Sequence, residues 1–144
     1  MTRTERARQV SYFLLRVVSG LLFMQAGSMK FLGWFGGVPG SNGTPVPLMT
    51  QVGIGGALEF FGGIALMLGL GVQPVAFLLC GEMAVAYWQF HAPSGAWPIQ
   101  NHGESAVLFC FIFLYMAARG GGAWSVDGWT GRRKGRGAGD EDGR

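Results

Sequence analysis

Four apolar runs, separated by stretches rich in Gly and Pro, set the plan of this chain. The first covers residues 10–33 and is broken only by Arg16, Gln25 and Lys30. The others cover residues 50–69, 74–90 and 103–118. At 1.5 Å per residue, helices of roughly 16–20 residues reach about 24–30 Å, the hydrocarbon thickness of a bilayer. No run carries the charged outer stripe of a soluble amphipathic helix. The pattern therefore predicts an all-α membrane protein, with four antiparallel transmembrane helices in one bundle. Residues 36–47 read as a loop by their Gly and Pro content. Residues 69–73 make a tight turn, and Pro74 suits the first position of the third helix. Tyr87, Trp88 and Phe90 form an aromatic belt at its end. A second loop over 92–101 carries Pro93, Trp97 and Pro98, and Gly120, Gly121 and Gly122 stop the last run. A basic start before an apolar run is also how a signal peptide begins. Arg16 interrupts what would be its apolar region, and Gln25-Ala26-Gly27-Ser28 is a poor cleavage site, so the first run reads as a retained span.

Composition agrees with this division. Of 144 residues 49% are hydrophobic and only 13% charged, about half the charged share usual in soluble domains. The chain reads as a cytoplasmic tail (1–9), a membrane domain (10–128) and a disordered C-terminal tail (129–144) dominated by Gly and charged residues. Nine of the eleven Lys and Arg lie outside the runs: Arg3, Arg6 and Arg8 before the first, and Arg119, Arg132, Arg133, Lys134, Arg136 and Arg144 at or after the end of the last. A basic tail can signal nucleic acid, but the positive-inside rule explains this distribution more simply. The expected partner is the lipid bilayer, with both ends in the cytoplasm.

The charges left inside the runs carry the candidate chemistry, because charge at membrane depth is costly and normally faces a partner or a polar cavity. Glu59 lies among Gly55, Gly56, Gly62 and Gly63, which let a second helix approach closely. Arg16, Gly20, Gly27 and Lys30 share one face of the first helix. Counting residues from the cytoplasmic side puts Arg16, Glu82 and Glu59 at about 9, 12 and 15 Å. Arg16 is thus expected to bridge Glu59, Glu82 or both, making an intramembrane polar pocket of the three. One arginine facing two carboxylates leaves spare negative charge. The cluster is either a fold-specifying ion network or a pocket for a headgroup, quinone ring, proton or small solute. At the outer end, Asn101 is a good N-cap with Glu104 at N3, as in a capping box. Lys30 lies at similar depth, giving a second polar group of Lys30, Asn101 and Glu104.

Other residues offer less. Cys80 and Cys110 lack C-x-x-C or zinc spacing and read as core residues. His91 and His102, without nearby Cys or paired carboxylates, point to no metal site. No hydrolase, P-loop or dinucleotide motif occurs, so no catalytic residue can be named.

The ordered set of motifs resembles the DoxX family of small bacterial integral membrane proteins. It consists of Arg16…Gly20…Gly27…Lys30, then Glu59-x-x-Gly62-Gly63…Gly69, then Trp97-Pro98-Ile99-Gln100-Asn101-x-Gly103-Glu104, and last Gly120-x-Gly122-x-Trp124-Ser125-x-Asp127. Members often show Asn-Gly-Gly-Glu where this chain has His102 as the second residue. The resemblance implies a four-helix bundle in the bacterial cytoplasmic membrane, multi-pass, with both termini inside. The family is named for likeness to a subunit of a thiosulfate:quinone oxidoreductase. Quinone is accordingly a candidate cofactor, and redox proteins of the membrane are candidate partners. Distant relatives act as chaperones or cargo receptors. A non-catalytic binding or assembly component, a quinone-interacting subunit and a solute or proton pathway all follow from it.

Overall fold

The computed structural model describes residues 1–131, which contain helices and turns and no strand. Helix α1 (Arg3–Phe31) begins seven residues before the apolar run because a local signal starts it. Thr2 Oγ1 accepts from the Glu5 N–H at 3.2 Å, and Glu5 Oε2 accepts from the Thr2 N–H at 2.6 Å, a capping box that satisfies two otherwise orphaned donors. Helix α2 (Gln51–Leu68) is capped by Thr50, whose Oγ1 accepts from Gly53 N–H. It ends at Gly69 in the left-handed conformation. Helix α3 (Val72–Ala86) starts earlier than expected, so Pro74 is its third residue rather than its first. The reason lies in the C-terminal segment. The Asp127 carboxylate accepts from Gly71 N–H and Val72 N–H, both at 2.8 Å, and supplies the cap from a distance.

Beyond α3 the chain continues as a π-helical turn over Tyr87–His91, where the Ala92 N–H reaches the Tyr87 carbonyl. A 3-10 turn (Ala92–Ser94) and the short α4 (Pro98–Asn101) lead to α5 (Glu104–Arg119), which stops at Gly120. A final helical turn covers 126–131. The first three residues of the expected tail thus belong to that turn, and residues 132–144 lie outside those described.

Helix α1 packs on α2 and α3 packs on α5, with lighter contact between α2 and α3. Glycines set the first pairing. A Cβ on Gly20 would stand 2.6 Å from the Gly63 carbonyl, and one on Gly27 would collide with the Phe60 backbone N and lie 2.6 Å from the Gly56 carbonyl. Backbones therefore touch, and residue numbers rise along α1 as they fall along α2. Leu79, Met83, Phe113 and Met116 are buried in the core, and half-buried Cys80 and Cys110 bring their Sγ atoms to 3.6 Å. Phe23 ties the two pairs together, its ring edge-on to Phe109 and Phe113 at 4.9 and 4.5 Å. The outward faces are apolar, with Leu14, Phe61, Phe77, Leu78, Phe111 and Leu114 exposed, while Arg16, Ser19, Ser28 and Glu59 are buried. Among the described residues two helices, α1 and α2, are long and apolar enough to cross a membrane.

Candidate functional site

The register of α1 against α2 decides which charges meet. With Gly27 seated on Gly56 and Phe60, Lys30 stands one turn further along α1 and faces Glu59. Its Nζ lies 2.6 and 2.7 Å from the two carboxylate oxygens. Glu59 is only 4% exposed. The pair is close and doubly hydrogen-bonded, as a buried carboxylate requires.

This corrects two expectations. Arg16 touches neither Glu59 nor Glu82, and Lys30 turns inward instead of toward Glu104. Depth along the chain matches depth in the bundle only where helices begin level, and here they do not. The glycine contacts set a different register, in which Arg16 lies a turn beyond the Gly20–Gly63 crossing. Its guanidinium meets Gly69 at the end of α2 and the segment after α5. There Arg16 Nη2 donates to the Trp124 carbonyl at 2.6 Å, and the residue is 1% exposed. Its Nε and Nη1 are buried without a hydrogen-bond partner. A Cβ on Gly69 would collide with Nη1, so the missing side chain there makes room for the cation. Tyr12 Oη donates to the Gly120 carbonyl, and Phe13 meets the Trp124 ring at 5.7 Å. Arg16 is thus a fastening for the 120–131 segment at one end of the helices.

The Lys30–Glu59 pair opens onto a cleft of about 770 Å³ between α1, α2, α3 and α5, within the range of small-molecule sites. Its walls are mainly apolar and aromatic, including Phe23, Leu58, Phe77, Phe90 and Phe109. Ile54, Phe77, Leu78 and Val85 both line it and are exposed, so its mouth lies on the apolar flank between α2 and α3. Glu82 also lines it. The Glu82 Oε2 is buried without a hydrogen-bond partner, and Oε1 stands 2.9 Å from where a Cβ on Gly55 would be. Of the residues expected in the pocket, Glu59 and Glu82 share this cleft, Lys30 joins them, and Arg16 does not.

The outer-end group also comes apart. Asn101 is the last residue of α4, not the cap of α5. Its Oδ1 accepts from Gly103 N–H at 2.8 Å, and its Nδ2 donates to the Gly95 carbonyl at 2.9 Å. Gly103 is the N-cap of α5, and Glu104 is its first residue, exposed and without a capping hydrogen bond. Asn101 cannot cap because its side chain is used to fold the loop in front of the helix. His102 takes a left-handed φ of 56°, the conformation glycine adopts freely.

Sequence reasoning missed Gly81 and His91 as cleft residues. Gly81 faces open space, with nothing within 4 Å of a built Cβ. His91 sits on the π-helical turn, a local form frequent at functional sites. Its Nδ1 lies 3.1 Å from the Asn101 carbonyl. Among the described residues no cluster of His, Cys, Asp or Glu could hold a metal ion.

Comparison with known proteins agrees with the motif set. The DoxX family profile matches residues 11–92. An uncharacterized protein of Haemophilus influenzae is 36% identical over 130 residues, covering 88% of this chain and 96% of its own length. No solved structure matches.

Proposed function

The chain belongs to the DoxX family of membrane proteins, and on that premise we propose that it is a binding protein holding an amphipathic small molecule in the cleft between α2 and α3. The observation that carries this reading is the Lys30–Glu59 ion pair and the unpartnered Glu82 oxygen at the wall of one apolar cleft. Glu59 is buried, while the Lys30 side chain keeps a quarter of its surface accessible at the cleft. Here apolar walls suit a hydrocarbon body and the polar wall suits a head, an arrangement typical of small-molecule sites.

The membrane setting follows the same physics. We read α1, α2, α3 with its π-helical continuation, and α5 as four antiparallel spans of the bacterial cytoplasmic membrane, with both termini inside. Val72–Ala86 and Tyr87–His91 run on without a break, reaching about 30 Å at 1.5 Å per residue. The exposed faces of α3 and α5 carry Phe77, Leu78, Phe111 and Leu114, a surface suited to lipid and a liability in water. The cleft mouth then opens sideways into the acyl chains.

The occupant is found by an unbiased mass-spectrometric inventory of what co-purifies in mild detergent. Wild-type protein is compared with Gly81→Trp, which fills the cleft without altering a charge. A lipophilic species held by the wild type and lost from a folded Gly81→Trp supports the reading. Identical inventories contradict it. A quinone is among the amphipaths to look for, since Lys30 and the cleft's aromatic rings suit a carbonyl and a ring. Its recovery would favour a redox-subunit role.

A further inference from the structure

Glu82 has no fixed counter-charge at the cleft, and what can balance it selects the ligand. Lys30 and Glu59 neutralise each other at 2.6 Å. Glu82 is the third charge of the cleft wall and has no ion pair among the described residues. Arg16, the other cation of α1 within the bundle, is committed to the Trp124 carbonyl beside Gly69, at the far end of α2. His91 lies at the rim with its Nδ1 against the Asn101 carbonyl. An ionised carboxylate in apolar surroundings is strongly unfavourable without a counter-charge. The other lining residues near it, with Phe77, Leu78 and Val85 at the mouth, supply none.

Resting on the binding role proposed above, we infer that the cleft takes amphipaths with a cationic head, which seats against Glu82 while the hydrocarbon body lies along the aromatic walls. Charge complementarity makes this choice. An anionic head is repelled by the carboxylates, a neutral head leaves Glu82 to be balanced by a proton, and a cationic head replaces that proton with a charge pair. A unit charge pair in a poorly screened site is worth far more than at a surface, so the preference should be large. Gly55 contributes by its missing side chain, since a Cβ there would crowd Glu82 Oε1. Gly81, one residue before Glu82, keeps the approach open.

The test uses the full chain in nonionic maltoside micelles and three probes of equal chain length: dodecyltrimethylammonium, dodecanol and dodecyl sulfate. Retention is read by native mass spectrometry against Gly81→Trp. The expected result is binding of dodecyltrimethylammonium at least about tenfold tighter than of dodecanol, with dodecyl sulfate weakest. In Glu82→Gln the cation and the alcohol should bind within about twofold of each other. If Glu82→Gln does not fold, Glu82→Asp, which withdraws the carboxylate by one methylene, should shrink the preference. Equal binding of cation and alcohol to the wild type would overturn the inference and mean that a proton balances Glu82. A cation preference that survives the Glu82 substitution would overturn it too. Retention of none of the three probes above the Gly81→Trp level would instead defeat the binding role on which the inference rests.

Discussion

Lys30 grips both carboxylate oxygens of Glu59, 29 residues away, at 2.6 and 2.7 Å. Removing one partner of a buried pair strands the other charge and costs roughly 3–5 kcal/mol, whereas removing both is much milder. Lys30→Met and Glu59→Gln should therefore each lower thermal stability in detergent sharply, and the double variant should recover much of the loss. Arg16→Met combined with Glu59→Gln should instead be additive within about 0.5 kcal/mol, because the two share no partner. Strong coupling in the second cycle would restore the Arg16 pairing that the structure contradicts.

Of the α1 glycines seated on α2, Gly27 leaves the least room for a side chain. Gly27→Ala places a methyl on the Phe60 backbone and beside the Gly56 carbonyl, atoms that cannot rotate away. The better helix propensity of Ala is worth about 1 kcal/mol, while overpacking of this kind costs about 1–3 kcal/mol or more. A net fall in melting temperature is expected, with Gly81→Ala, which meets open space, as the matched control that does not fall. Equal shifts for the two variants would show that the helices do not touch there.

Much of this was legible in the chain. Apolar runs bounded by Thr50 and Gly69 located α2 to within a residue, because cap chemistry and hydrophobic length act locally. The charge pairing was not legible. Which of Arg16 and Lys30 meets Glu59 depends on the register of α1 against α2, and that is fixed by where Gly20 and Gly27 seat rather than by distance along either helix. Thr2 and Glu5, outside the apolar run, begin α1 early. Asp127 caps α3 from 55 residues away, and no local rule ties such a pair together. The Trp124-Ser125-x-Asp127 motif did mark the segment as special. Its task, fastening Arg16 and the α3 terminus, emerges only in three dimensions.

His102 holds a left-handed conformation before α5, at a cost of roughly 1–2 kcal/mol for a non-glycine residue. His102→Gly removes that strain and loses part of the gain to the greater freedom of glycine in the unfolded chain. A rise of about 0.5–1 kcal/mol is expected, read as a higher melting temperature in detergent. A fall would assign the imidazole a packing role that its exposed position argues against.

The four-span arrangement has a direct readout. Reporter fusions after Met49, Gln73, Gln100 and Trp129 should report outside, inside, outside and inside. A periplasmic signal at Trp129 would leave an odd number of crossings and break the proposed topology.

The cleft itself is tested most directly by photolabelling. A diazirine placed near the middle of a dodecylamine chain, incubated with the protein in nanodiscs and irradiated, should mark the residues that line the binding site. Labelled peptides should carry Ile54, Leu58, Phe77, Leu78 and Val85, and the labelling should vanish in Gly81→Trp. Label spread evenly over Leu14, Leu21, Phe111 and Leu114, the apolar faces outside the cleft, would show a molecule dissolved in the surrounding lipid and contradict a binding site between α2 and α3.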